Sequence, residues 1–77
     1  MKYVGTILEY RNGLIKVKSF LYDFTTSKNM CQVQAMHSMV HKGQELRKGD
    51  TFLIDGRAIR RLINAQTAVP FSLKNIA

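Results

Sequence analysis

The sequence predicts a mainly β protein, a small antiparallel sheet or small barrel of about five strands, with a short helix over about 57–66 as the alternative to a final strand. Three observations point there. Apolar residues concentrate in short runs rich in β-branched and aromatic types, which suit half-buried strands. Asn12-Gly13 and Asp55-Gly56 each sit between two such runs, and both pairs tolerate the positive φ of a two-residue hairpin turn. The chain has only 77 residues, so 1–77 reads as a single small β-rich domain.

The elements follow in order. Residues 3–10, Tyr-Val-Gly-Thr-Ile-Leu-Glu-Tyr, read as a strand that turns at Asn12-Gly13. Residues 14–24 read as its partner, with Ile15 and Val17 on one face and Lys16 and Lys18 on the other. Past Ser19 the parity changes, so that Phe20, Tyr22 and Phe24 share a face with the lysines. A bulge near Ser19 would return the aromatics to the core side; a regular strand would make a basic-aromatic face. Thr25 to Asn29 is a polar connection. Cys31, Val33 and Ala35 alternate with Gln32 and Gln34, which predicts a strand at about 30–36, and 37–41 stays open between strand and helix. His41 to Asp50 is polar and loop-like, and Thr51 to Ile54 is a short strand.

Residues 57–63 carry the main ambiguity. Arg57 to Ile63 can return as a strand from an Asp55-Gly56 turn, and that turn favours the hairpin. Ile59, Leu62 and Ile63 also fall at i, i+3 and i+4, the spacing of a helix face. Pro70 pushes Val69 to an extended form, and residues 71–77 could add an edge strand or dock on a neighbour. Barrel closure or pairing with a second copy would hide the sheet edges.

Composition narrows the function classes. Apolar residues make up 45% of the chain, an ordinary globular share, and no run approaches the length of a membrane span. The start of the chain carries no signal-peptide pattern. Cys31 is the single cysteine, which excludes an intrachain disulfide and a multi-thiolate zinc site, fits a reducing compartment, and reads as a small buried hydrophobe. The expected location is cytoplasmic, without membrane association. A domain this small gains stability by association, so a homo-oligomer is expected.

No catalytic constellation stands out, and the chain is read as a non-enzyme without cofactor or metal. His37 and His41 lie four apart but lack the carboxylate that would complete a metalloprotease motif, and they read as surface residues flanking a loop. Met30, Met36 and Met39 read as flexible filler of a core or interface. Lys48-Gly49-Asp50 before an apolar strand makes an ordinary turn; the alternative is a phosphate-cradling nest with Arg47 and Lys48 alongside.

Charge is the strongest functional signal. Twelve Lys and Arg oppose five Asp and Glu, a net charge of +7 with no block of like charge, so the charge decorates a folded surface that attracts polyanions. Arg57, Arg60 and Arg61 are the leading constellation, because a guanidinium fork matches phosphate oxygens two at a time. On a helix these three cluster on one side; on a strand Arg60 points away from the others. Arg47 and Lys48 are expected nearby. Lys16 and Lys18, interleaved with Phe20 and Tyr22, would make a second strip suited to stacked bases and their phosphates.

The hairpin over residues 5–15 and the stretch Leu46-Arg47-Lys48-Gly49-Asp50-Thr51-Phe52-Leu53-Ile54 loosely resemble strands of small SH3-like or OB-like barrels. The resemblance spans about a third of the chain and implies a fold only. The expected function is a non-catalytic nucleic-acid-binding module that contacts phosphates through Lys16, Lys18, Arg47, Lys48, Arg57, Arg60 and Arg61. The alternative is a small inhibitory or regulatory interaction protein, such as a viral accessory protein. It would bind an acidic protein surface or sequester a small nucleotide-like anion.

Overall fold

The computed structural model describes residues 3–11 and 13–67. Asn12 of the expected first turn, Val69-Pro70 and the expected edge segment 71–77 lie outside the described residues. Among the described residues six strands and one helix follow in the order β1 (Ile7–Tyr10), β2 (Gly13–Asp23), β3 (Lys28–Ala35), β4 (Met39–His41), β5 (Gln44–Leu46), β6 (Thr51–Asp55) and α1 (Gly56–Thr67). The mainly β fold with a short helix is thus present. Its main sheet is antiparallel, in the order β1-β2-β3-β6, and β4-β5 form a separate hairpin. Among the described residues β1 and β6 are the two edges and the sheet is open, which matches the small antiparallel sheet rather than a closed barrel.

Side-chain alternation decides which face is buried. Leu8 lies opposite Ile15, and Ile15 opposite Ala35. Val17 lies opposite Val33, and Val33 opposite Phe52. Phe20 lies opposite Cys31, and Cys31 opposite Ile54. Helix α1 lays Ile59 and Ile63 on this face, and both are almost fully removed from solvent at 0% and 2% exposure. Full burial of such side chains stabilises by roughly 2 kcal/mol each.

The parity change in β2 is resolved by a bulge. Val17 pairs with Val33, but Ser19 pairs with Gln32, so Lys18 is an extra residue in the ladder. The slip returns Phe20 to the side of Cys31 and Ile54, where it packs against the core. The aromatics therefore do not share a regular strand face with Lys16, and the basic-aromatic strip expected from Lys16, Lys18, Phe20 and Tyr22 is not formed. Beyond the bulge, Ser19 to Asp23 pair with β3 alone, so the end of this hairpin projects past β1. Its tip is held by the Asp23 carboxylate, which accepts the Thr25 N–H at 2.9 Å. That bond and the Thr26 hydroxyl hold the carboxyl below its ordinary range.

The hairpin favoured at Asp55-Gly56 is replaced by α1. Asp55 caps the helix: its Oδ1 accepts the Arg57 N–H at 2.8 Å. Gly56 is required by packing, since a Cβ there would lie 2.8 Å from the backbone oxygen of Asn29. The same dipeptide that suits a hairpin turn also suits a helix start pressed against a strand. What decides between them is the sheet, whose apolar face Ile59 and Ile63 must cover.

A second correction concerns 41–50. This stretch holds the β4-β5 hairpin, in which Lys42 (φ 50°) and Gly43 (φ 78°) both occupy the left-handed region between the paired residues His41 and Gln44. Two consecutive positive φ values make a type I′ turn, the turn that matches strand twist. At the far end of α1 the Gln66 side chain caps the β1 edge. Its Oε1 accepts the Glu9 N–H at 3.0 Å and its Nε2 donates to the Glu9 carbonyl at 2.9 Å, as a neighbouring strand would. Among the described residues no helix is long and apolar enough to cross a membrane.

Candidate functional site

The seven expected cations fall into three groups rather than one surface. Arg57, Arg60 and Arg61 stand exposed on α1, one turn apart, the clustered arrangement that only the helix permits. Lys16 pairs with Ile7 and Gln34 on the sheet face away from α1. Lys18 is exposed at the bulge. Arg47 and Lys48 lie in the turn before β6, at the opposite end of that strand from α1, so they are not neighbours of the arginine cluster.

The phosphate-nest alternative for this turn fails on its hydrogen bonds. Gly49 has φ 97° and the Asp50 N–H donates to the Arg47 carbonyl at 2.9 Å, which makes a type II turn. The Gly49 N–H donates to the Ala35 carbonyl at 2.8 Å. The Arg47 N–H donates to the Asp50 carboxylate at 2.9 Å. The N–H groups of Arg47, Gly49 and Asp50 are thus engaged within the fold rather than gathered to face an anion.

Asp23, Asp50 and Asp55 each accept a backbone N–H. Three of the five acids thus serve turns or a cap.

A cleft of about 690 Å³ lies between α1 and the projecting end of the β2-β3 hairpin. Its walls are the rings of Tyr3, Phe20 and Tyr22, with Arg60 and Asn64 from α1 and Asn29 and Met30 from β3. The local causes are those of the fold. The bulge at Lys18 turns Phe20 and Tyr22 toward the helix side. The bare Gly56 lets α1 start directly on Asn29, which sets Arg60 one turn further along the rim. Tyr22 is 45% exposed and Phe24 86% exposed, and their rings meet edge to face at 4.9 Å. Sequence reasoning singled out Arg60, Phe20 and Tyr22 but missed Tyr3, Asn29 and Asn64. No spacing signal joins these three, because they come from three separate segments.

The remaining titratable groups serve the fold. His41 is 8% exposed and packs against Phe52 at 4.7 Å and Tyr10 at 5.6 Å. A 3.3 Å hydrogen bond joins its Nδ1 to the Tyr10 hydroxyl. Burial, then the nearby Lys42 and Arg11 charges, push its pKa below the ordinary value. His41 is thus a core residue, where the sequence suggested a surface one. His37 accepts the Leu14 N–H on Nε2 at 3.0 Å and donates from Nδ1 to the Ser38 carbonyl at 3.0 Å. Cys31 is fully buried, and desolvation pushes its thiol up to about 11, which keeps it protonated and unreactive near neutral pH. Among the described residues no three His, Cys, Asp or Glu gather as a metal site.

No family model, curated protein or solved structure matches the chain.

Proposed function

We propose that this protein is a non-catalytic nucleic-acid-binding module that holds phosphates with Arg57, Arg60 and Arg61. The observation that carries the reading is the exposed arginine cluster of α1, with Arg60 on the rim of an aromatic-walled cleft. Arginine forks favour phosphate oxygens, and the net charge of +7 draws a polyanion to the surface before any contact forms. Lys16 on the other side of the sheet, Lys18 at the bulge, and Arg47 and Lys48 at the far end of β6 add to the long-range field outside the helix cluster. The test is oligonucleotide binding by fluorescence anisotropy over a salt series. Affinity falls with salt at a log–log slope of roughly −0.7 to −0.9 per phosphate contact. Replacing Arg60 and Arg61 together by Ala flattens the slope by roughly 1.5 and weakens binding to all sequences alike. A flat salt dependence removes this reading.

A second reading, a small regulatory or inhibitory interaction protein, draws on a different surface. The sheet face away from α1 has no described element packed on it. It exposes Ile7 (49%), Leu14 (41%), Leu21 (37%) and Leu53 (43%) around Lys16. A partner protein with an apolar centre and an acidic rim fits this face. Sedimentation of the isolated chain and of a captured complex separates the cases. A defined one-to-one complex with a protein favours the second reading, and a doubled mass of the chain alone assigns the face to a second copy.

A further inference from the structure

The cleft between α1 and the β2-β3 hairpin has three properties that together favour one kind of guest. Three aromatic residues line it, Phe20 and Tyr22 on β2 and Tyr3, together with the apolar Leu21, Met30 and Ile63. Its rim carries a guanidinium, Arg60, one turn from Arg57 and adjacent to Arg61. Two asparagines also line it, Asn29 from β3 and Asn64 from α1, and a side-chain amide presents both a donor and an acceptor. At about 690 Å³ it lies within the range of small-ligand sites, roughly 300–1,000 Å³.

We propose that this cleft receives one unstacked nucleobase, with the attached phosphate on Arg60. The inference rests on the nucleic-acid reading above and adds to it that the protein takes single strands in preference to duplex. A base inside a duplex is stacked on both faces and cannot enter a cleft walled by protein rings, whereas a single strand or a free nucleotide can offer its face. Tyr22 is the diagnostic residue. It lines the cleft, is 45% exposed, and meets Phe24 edge to face, so its side chain is partly accessible to a guest. The amides of Asn29 and Asn64 then meet the edge of the base, which adds a preference among bases without a long sequence code.

The experiment is competition against a fluorescein-labelled deoxythymidine strand of about 12 nucleotides, within the site sizes of such binders. The competitors are the same strand made abasic, a duplex of equal length, and free thymidine monophosphate. The abasic strand and the duplex are each expected to bind about 10-fold or more weakly than the intact strand at equal salt. Tyr22→Ala is expected to lose about 10-fold for the intact strand and nothing for the abasic one, and Tyr22→Phe to retain binding. Thermal melting of each variant checks that the fold is kept. Displacement by the free monophosphate at concentrations near those of the strand supports the site and names a free nucleotide as its guest. Displacement by strands alone supports it with a polymer as the guest. Equal binding of intact, abasic and duplex forms, with a steep salt slope, overturns the inference while the phosphate reading stands. No binding of any form at low salt overturns both.

Discussion

The two ends of the sheet use aromatic rings in opposite ways. At one end Tyr10, His41 and Phe52 close on one another at centroid separations of 4.7 to 6.4 Å, and Tyr10 and His41 are buried. The β4-β5 hairpin is pinned there as well, with His37 bonded to the Leu14 backbone and Met39 lying against Gly13. At the other end Phe20, Tyr22 and Tyr3 wall an open cleft and Phe24 stands 86% exposed. Rings of the same chemistry complete a core at one end and line an open cleft at the other. The difference lies in what covers them. The β4-β5 hairpin folds back over the first set, whereas the β2-β3 hairpin projects beyond β1 and leaves the second set against α1 alone.

The sharpest way to break the comparison is to remove one ring from each end. Tyr10→Ala empties a buried site and should cost about 3 kcal/mol, read from urea denaturation. Tyr22→Ala should change stability by no more than about 0.5 kcal/mol while it weakens the strand binding described above. A large stability loss at Tyr22 would mean that the cleft is a structural pocket, and the two ends would then be alike.

A smaller effect tests how the open end is built. Asp55→Ala removes the cap of α1 and should cost about 1 kcal/mol, because the Arg57 N–H loses its partner at the start of the helix that carries Arg60. Asp55→Asn keeps an acceptor and should recover most of that loss, again read from urea midpoints. Equal destabilisation by both variants would point to the charge rather than the cap.

The smallest expected effect belongs to the packed end and is set by pH. The folded pKa of His41 lies below its ordinary value of 6.5, so over the interval beneath that value the unfolded chain binds a proton that the folded one refuses. Stability from this source is unaffected well above pH 6.5, falls as the pH drops through it, and levels off below the folded pKa. His41→Phe keeps a ring against Phe52 and should flatten that part of the profile. An unchanged profile would place the pH dependence elsewhere.

Much of the fold is legible along the chain because alternation is a local signal. Ile15 with Val17, and Cys31 with Val33 and Ala35, mark the buried face of their strands with no knowledge of partners. The parity break at Ser19 left a bulge and a basic-aromatic face as two options, and the pairing chose the bulge, at the neighbouring Lys18. Lys42-Gly43 was not legible as a turn, because a lysine at positive φ is unusual and only the pairing of His41 with Gln44 imposes it. The candidate site was legible in part. The arginine spacing carried a helix cluster as one of two options, but the cleft joins Tyr3, Asn29 and Asn64 to it from segments far apart in sequence.

By itself the sequence determined the charge, the strand-forming runs with their buried faces, and the arginine triplet, since these follow from residue type and short-range period. Tertiary structure alone decided that Asp55-Gly56 starts a helix. A turn of either kind satisfies the dipeptide, and the choice depends on Asn29 pressing against Gly56 and on an apolar sheet face that needs Ile59 and Ile63 to cover it. The same packing decided that Arg60 lines one cleft with Phe20 and Tyr22, because long-range contact between a helix and a hairpin has no local code.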